Sequence, residues 1–226
     1  YLAYWDAGTW LLDVRDPTAP AVLGHVAEQS PSDLADVTDT ERAGVELPGN
    51  SHAVAVGEDG TTMAVGREAW DANGDGTGGP GGIDYYDIAD PTAPERVAHV
   101  PPLPTDDPSR EGTWTTAHNF DLAGGRLYAA WYQGGVSVDD LSGGAPTELA
   151  RWRASDEAAF WAARRAANCV VASSFRGTEG VYTFPDPAPE TTARDPETVA
   201  SGGVAGVALA ALVGVVGVVT ADTDYL

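Results

Sequence analysis

Residues Arg126 to Arg153 read RLYAAWYQGGVSVDDLSGGAPTELARWR, and this stretch decides the fold. Gly-Gly and Ser-Gly-Gly turns divide it into apolar runs at Leu127–Tyr132, Val136–Leu141 and Glu148–Trp152. A run just upstream, His118–Leu122, brings the unit to four short strands. In Leu127–Tyr132 both alternating sets are apolar: Leu127, Ala129 and Trp131 on one face, Tyr128, Ala130 and Tyr132 on the other. A strand covered on both sides reads this way, as it would where sheets stack.

The same phrase recurs. Tyr1 to Val26 reads YLAYWDAGTWLLDVRDPTAPAVLGHV, Gly81 to Val100 reads GGIDYYDIADPTAPERVAHV, and Asn168 to Glu190 carries a shorter copy. Gly8, Gly82, Gly135 and Gly180 align, with Asp13, Asp87 and Asp140 at one matching position downstream. The spacings of the glycines are 74, 53 and 45 residues, so the shortest is the bare unit and the others carry insertions. A period in the forties built from short strands predicts β-propeller blades. The Asp-Pro-Thr-Ala-Pro segments at 16–20 and 90–94 are turns, because proline fixes φ and lacks a ladder donor. With strands labelled A to D outwards from the axis, the chain starts in a B strand and its last recognisable run is a C strand. The expected fold is therefore all-β: an incomplete propeller of four-stranded antiparallel blades over 1–185, three to four of them visible, with further blades upstream. Glu157–Ala166 has helical propensity, but repeat register makes it an A strand.

Composition limits the setting. Thirty-four acidic residues face twelve basic ones, for a net charge of −22, and every basic residue is arginine. Such a surface repels itself in dilute buffer, whereas at about 1 M salt the Debye length falls to roughly 3 Å and the repulsion is screened. The pattern predicts a salt-adapted protein. No basic patch exists to neutralise phosphates, so nucleic acid is not expected as a partner. The single cysteine, Cys169, sits in an apolar run and reads as a small buried hydrophobe.

The strand-and-aspartate phrases Leu11-Leu12-Asp13-Val14 with Asp16-Pro17, and Tyr85-Tyr86-Asp87-Ile88 with Asp90-Pro91, resemble those of the LVIVD-repeat family. The third copy keeps Val138-Asp139-Asp140 but lacks the Asp-Pro turn, and the resemblance covers roughly residues 1–190. It implies a propeller on a cell surface, of a haloarchaeal type, and brings no established active site with it.

Beyond Pro185 the composition changes. Residues 186–198 form an acidic Pro/Thr linker, and Val199 to Val219 runs 21 residues without a charge before a short tail at 220–226. That length spans about 30 Å of hydrocarbon as a helix, predicting a C-terminal transmembrane anchor for an extracellular domain.

Strand direction places function without a family. The starts of A strands carry His52 and His118; the ends of B strands carry Asp6, Glu68, Gln133 and Arg176. The insertions at 27–50, 69–81 and 101–116 open at the same end, the arrangement of binding loops on a rigid scaffold. Two chemistries attach to this face. In Asp71-Ala72-Asn73-Gly74-Asp75-Gly76-Thr77 oxygen ligands alternate as in a calcium loop, but Gly82 stands where a bidentate glutamate would close it. Asp84 or Glu68 would have to substitute, alongside Asp71, Asn73, Asp75 and Thr77. The alternative is a plain Gly/Asp turn. Second, His52 and His118 occupy matching positions and could hold a transition metal or act as acid and base, unless they only bond the blade backbone. His25 and His99 look structural. Trp5, Trp70 and Trp114 could stack on sugars. The resulting expectation is a non-enzymatic binding or adhesion propeller with a surface protein or glycan as ligand. The alternative is a metal-dependent, lactonase-like propeller hydrolase acting at the channel mouth.

Overall fold

The computed structural model describes residues 1–154 and 157–187. The linker from 188 onward, the predicted span at 199–219 and the tail at 220–226 lie outside the described residues. Among the described residues no helix is long and apolar enough to cross a membrane.

The chain is all-β, with four antiparallel sheets of three or four strands. The first holds β1 (Leu2–Ala3), β2 (Thr9–Asp13) and β3 (Ala21–Val26). Two short helices follow, α1 (Pro31–Ala35) and α2 (Thr40–Ala43). The second sheet runs β4 (Ser51–Val56), β5 (Thr62–Arg67), β6 (Ile83–Asp87) and β7 (Glu95–Val100). The third runs β8 (Phe120–Ala123), β9 (Arg126–Ala130), β10 (Val136–Asp140) and β11 (Thr147–Trp152), and the fourth β12 (Ala158–Ala166), β13 (Cys169–Gly177) and β14 (Gly180–Pro185). Within each sheet the strands pair in chain order. Glu157–Ala166 is thus a strand from Ala158, as register required and propensity did not, because its Ala158, Phe160 and Ala163 are buried between sheets. The helices went unforeseen within the first insertion. Ser30 starts α1 with a capping box, its hydroxyl accepting from Asp33 N–H while the Asp33 carboxylate accepts from Ser30 N–H.

The repeated residues do the same job in the first three sheets. Asp13, Asp87 and Asp140 end the third strand of the repeat, and each carboxylate accepts the N–H two residues on, at 3.0, 2.8 and 2.8 Å. This local bond starts the turn, which an Asp-Pro segment completes after Asp13 and Asp87. A Cβ on Gly8, Gly82 or Gly135 would strike the carbonyl of Val26, Val100 or Trp152 at the end of the outer strand. Only glycine permits that backbone approach.

The sheets stack in chain order through apolar faces. Leu11 packs with Met63, Val65, Tyr86 and Ile88; Ala64, Ile83 and Val100 pack with Phe120, Leu127 and Trp131; Tyr128, Val136 and Val138 pack with Phe160, Val170 and Phe184. The third sheet is covered on both faces, which explains the two apolar sets of Leu127–Tyr132. Trp131, Tyr128 and Val136 are almost wholly buried, each burial contributing about 1.5–3 kcal/mol or more. Cys169 is only half-buried, at the first position of β13, so it is less enclosed than its apolar run predicts.

Candidate functional site

Strand direction sets two ends. The β9–β10 turn, the β5–β6 loop and the connections from each sheet to the next lie at one end, and here the insertions interlock. Glu46, from the first insertion, accepts Ala72 N–H of the second at 3.0 Å, and Trp70 N–H donates to the Val45 carbonyl at 3.0 Å. Asp71 N–H donates to the Pro108 carbonyl of the third insertion at 3.0 Å. Trp70 and Trp114 meet edge-on at 5.1 Å, with the Arg110 guanidinium 4.9 Å over Trp70 and that of Arg176 5.6 Å over Trp114. Gln133 accepts the Trp114 N–H at 3.0 Å. Arg176 and Gln133 therefore hold Trp114 in place, which weakens the idea that Trp70 and Trp114 are free to stack on a sugar.

Beneath these loops His52, Glu68 and His118 converge, their donor atoms all within 4.8 Å of one another. Position follows from the backbone. His52 is the second residue of β4, Glu68 follows β5, and His118 precedes β8. Asn50, left-handed at φ 58°, clamps Glu68: its side-chain amide donates to the Glu68 carbonyl at 2.9 Å and its own carbonyl accepts Glu68 N–H at 3.2 Å. His52 Nδ1 lies 3.2 Å from one Glu68 oxygen, and His118 Nε2 lies 3.8 Å from the other. The Tyr132 hydroxyl donates to that second oxygen.

His118 Nδ1 lies 2.5 Å from the Trp161 carbonyl. A carbonyl can only accept, so Nδ1 carries the proton and Nε2 presents its lone pair. That nitrogen is buried and has no hydrogen-bond partner among the described residues. Burial holds the imidazole below its ordinary pKa, outweighing the carbonyl of Trp161 and the charge of Glu68, and His52 pushes it further down. Burial and then the bond to Glu68 hold the Tyr132 hydroxyl well above its usual range, so it stays a donor.

Aromatics surround the cluster. The rings of His52 and His118 are 4.6 Å apart, Trp161 is 4.1 Å from His118, and Trp5 stands edge-on to His52 at 5.3 Å. Phe175 packs edge-on against both Trp161 and Tyr132. Trp161 is 44% exposed and Phe175 38%. The sequence pattern did not single out Tyr132 as a partner of Glu68. A signal existed: Trp5 and Tyr132 both stand three residues before a repeat glycine, at φ 49° and 50°. Each bonds the backbone of the next sheet, Trp5 to Ser51 and Tyr132 to Phe160. A bulky residue held in that region is strained and sits there only when its surroundings require it.

The remaining candidates lie apart. Asp6 accepts Asn50 N–H at 3.1 Å, and burial raises its pKa against that bond. Asp71 accepts the N–H groups of Asp75 and Gly76 at 3.2 and 2.7 Å, so its oxygens cap the loop. Asp75 accepts from Thr77, while Arg42 bonds Glu46 at 2.6 Å, lies 3.8 Å from Asp75 and donates to Thr77. A guanidinium thus stands beside the acids where sequence suggested calcium. Asn73 lies in the exposed part of that loop. Asp84 does not join them. It is buried in β6 against Arg67 at 3.1 Å, Arg96 at 2.8 Å and His99 at 2.8 Å. Burial opposes its ionisation, but those partners outweigh it and hold the carboxyl below its usual range. His25 bonds the Ala7 carbonyl at 2.7 Å and stacks on Trp10, so it fastens a turn. A cleft of about 500 Å³ lies at the other end and is lined by Arg126, Arg165 and Asp186, both arginines pairing with the aspartate.

No family model matches the chain, and neither a curated protein nor a solved structure matches it.

Proposed function

We propose that the four sheets are consecutive blades of a β-propeller that binds a ligand, a glycan or a protein, at the end where the insertions gather. The observation that carries this reading is the pair of exposed aromatic rings, Trp161 and Phe175, standing beside the His52–Glu68–His118 cluster. Large rings left half in water next to buried polar groups fit ligand stacking better than packing. The propeller reading rests on the stacking of sheets in chain order and on exposed apolar residues at the two outer sheets: Leu2, Tyr4 and Val22 on the first, Val181 on the fourth. Such residues suit packing against further blades. We place the protein at the surface of a salt-adapted cell, held by the apolar segment 199–219; the net charge of −22 and the lack of lysine support the habitat. No reaction is assigned.

The binding reading is tested by titrating a panel of neutral oligosaccharides and cell-surface protein fractions onto the chain in concentrated KCl. Trp161→Ala and Phe175→Ala are each expected to weaken the ligand found by about tenfold or more, the loss of one anchoring ring. Unchanged affinity in both variants overturns the assignment of this face. A melting temperature that does not rise from dilute to concentrated KCl removes the salt adaptation.

A further inference from the structure

We infer that His52, Glu68 and His118 form a binding site for one divalent transition-metal ion of the zinc class. The inference stands on side-chain geometry and is independent of which ligand the outer face takes. A tetrahedral ion with bonds of about 2.0–2.1 Å to nitrogen and oxygen sets its ligand atoms about 3.4 Å apart. His52 Nδ1 lies 3.2 Å from one Glu68 oxygen and His118 Nε2 lies 3.8 Å from the other, so the carboxylate stands between the two rings and can bind an ion through either oxygen or both. One donor atom from each residue lies within 4.8 Å of the other two, so closure onto one ion needs a movement of roughly 1 Å, open to the His52 ring as the partly exposed member.

The second support is the His118 nitrogen. Its lone pair is buried, has no hydrogen-bond partner among the described residues, and faces a carboxylate oxygen 3.8 Å away. Two lone-pair faces turned on each other in a buried site repel, and burying a polar atom without a partner is destabilising. A cation between them removes both penalties. Third, the supporting bonds are those metal ligands use. The Trp161 carbonyl fixes the His118 tautomer so that Nε2 points inward, and the Tyr132 hydroxyl fixes Glu68. Two imidazoles with one carboxylate select a borderline ion such as Zn²⁺ over Ca²⁺ or Mg²⁺. Three protein ligands leave a coordination position open for water or a ligand oxygen. The exposed part of His52 indicates the direction of access.

The test uses the whole chain, stripped with chelator and dialysed against Co²⁺ or Zn²⁺ in concentrated KCl. One equivalent of metal should be retained, with the intense visible absorption of four-coordinate Co²⁺ bound to nitrogen; the acidic surface takes up Co²⁺ through oxygen and gives only weak bands. His52→Ala and Glu68→Gln should each weaken binding at least about 100-fold, whereas His99→Gln, outside the cluster, should leave it unchanged. His118→Ala removes a buried ring and is read only alongside its circular dichroism. If Glu68→Gln fails to fold, His52→Ala decides, since its ring is partly exposed. Less than stoichiometric retention by the unaltered chain, or undiminished binding in His52→Ala, overturns the site.

Discussion

Two clusters of this molecule look alike in composition and differ in what their atoms lack. Glu46, Asp71 and Asp75 bring their oxygens within 4.8 Å of one another, as His52, Glu68 and His118 bring two ring nitrogens and an oxygen. In the acidic cluster the chain itself supplies the donors: backbone N–H groups of Ala72, Asp75, Gly76 and Thr77, and the guanidinium of Arg42. The cluster is satisfied, and its charge is partly neutralised from within. In the histidine cluster one buried nitrogen is left over. Crowding of ligand-type residues does not define a metal site; an unfilled valence held in position by its neighbours does.

The largest effect that would sharpen this contrast is a difference between two cations. At about a hundred times its dissociation constant, Zn²⁺ should stabilise the chain by about 2.7 kcal/mol, because it binds only the folded state. Ca²⁺ in the same concentrated KCl should leave the melting temperature unchanged. A calcium response equal to that of zinc would erase the distinction.

A third carboxylate sets the scale for burial without a cation. Asp139 is buried in β10 and accepts from Ser137 at 2.7 Å, while Trp131 donates to Ser137 at 2.8 Å. Burial pushes its pKa up to about 6, against the Ser137 bond. The folded state therefore binds its proton more tightly than the unfolded chain does. The sign follows: this residue costs nothing at pH values below its ordinary pKa, and the cost grows as pH rises to about 6 and levels off above it. Asp139→Asn should match the unaltered protein near pH 4 and exceed it by about 2–3 kcal/mol at pH 8. Denaturant melts of the two proteins across that range measure the difference, and a constant offset would disprove the assignment.

The smallest effect concerns Arg42. Its replacement by alanine leaves the buried Glu46 and the half-exposed Asp75 without their counter-charge. Because Arg42 is itself partly exposed, the expected loss is small, well below the penalty of a fully buried pair. Ca²⁺ should restore part of that loss in Arg42→Ala alone, as read from melting curves. Without such a rescue, Arg42 is a loop brace and not a stand-in for a cation.

Much of the fold was legible because it is written locally and repeatedly. The glycines that admit an outer-strand carbonyl, the aspartates that close turns two residues on, and the doubly apolar Leu127–Tyr132 each state a constraint within a few residues. Register, repeated across copies, overrode the helical propensity of Glu157–Ala166 because tertiary burial outweighs propensity. The insertion-rich end was legible by the same means, since strand direction alone puts its loops together.

What the sequence determined by itself is therefore the all-β repeat, the acidic surface and the end at which polar residues collect. Tertiary structure alone decided which of those residues meet. Arg42 and Thr77, 35 positions apart, close the acidic loop. Tyr132 reaches Glu68 across 64 positions, and Trp161 reaches His118 across 43. Such contacts depend on how one sheet is set against the next, at a precision of tenths of an ångström, and no local pattern encodes that distance. A hydrogen-bonded pair and an unpartnered nitrogen differ by less than 1 Å, which is why the candidate site becomes visible only in three dimensions.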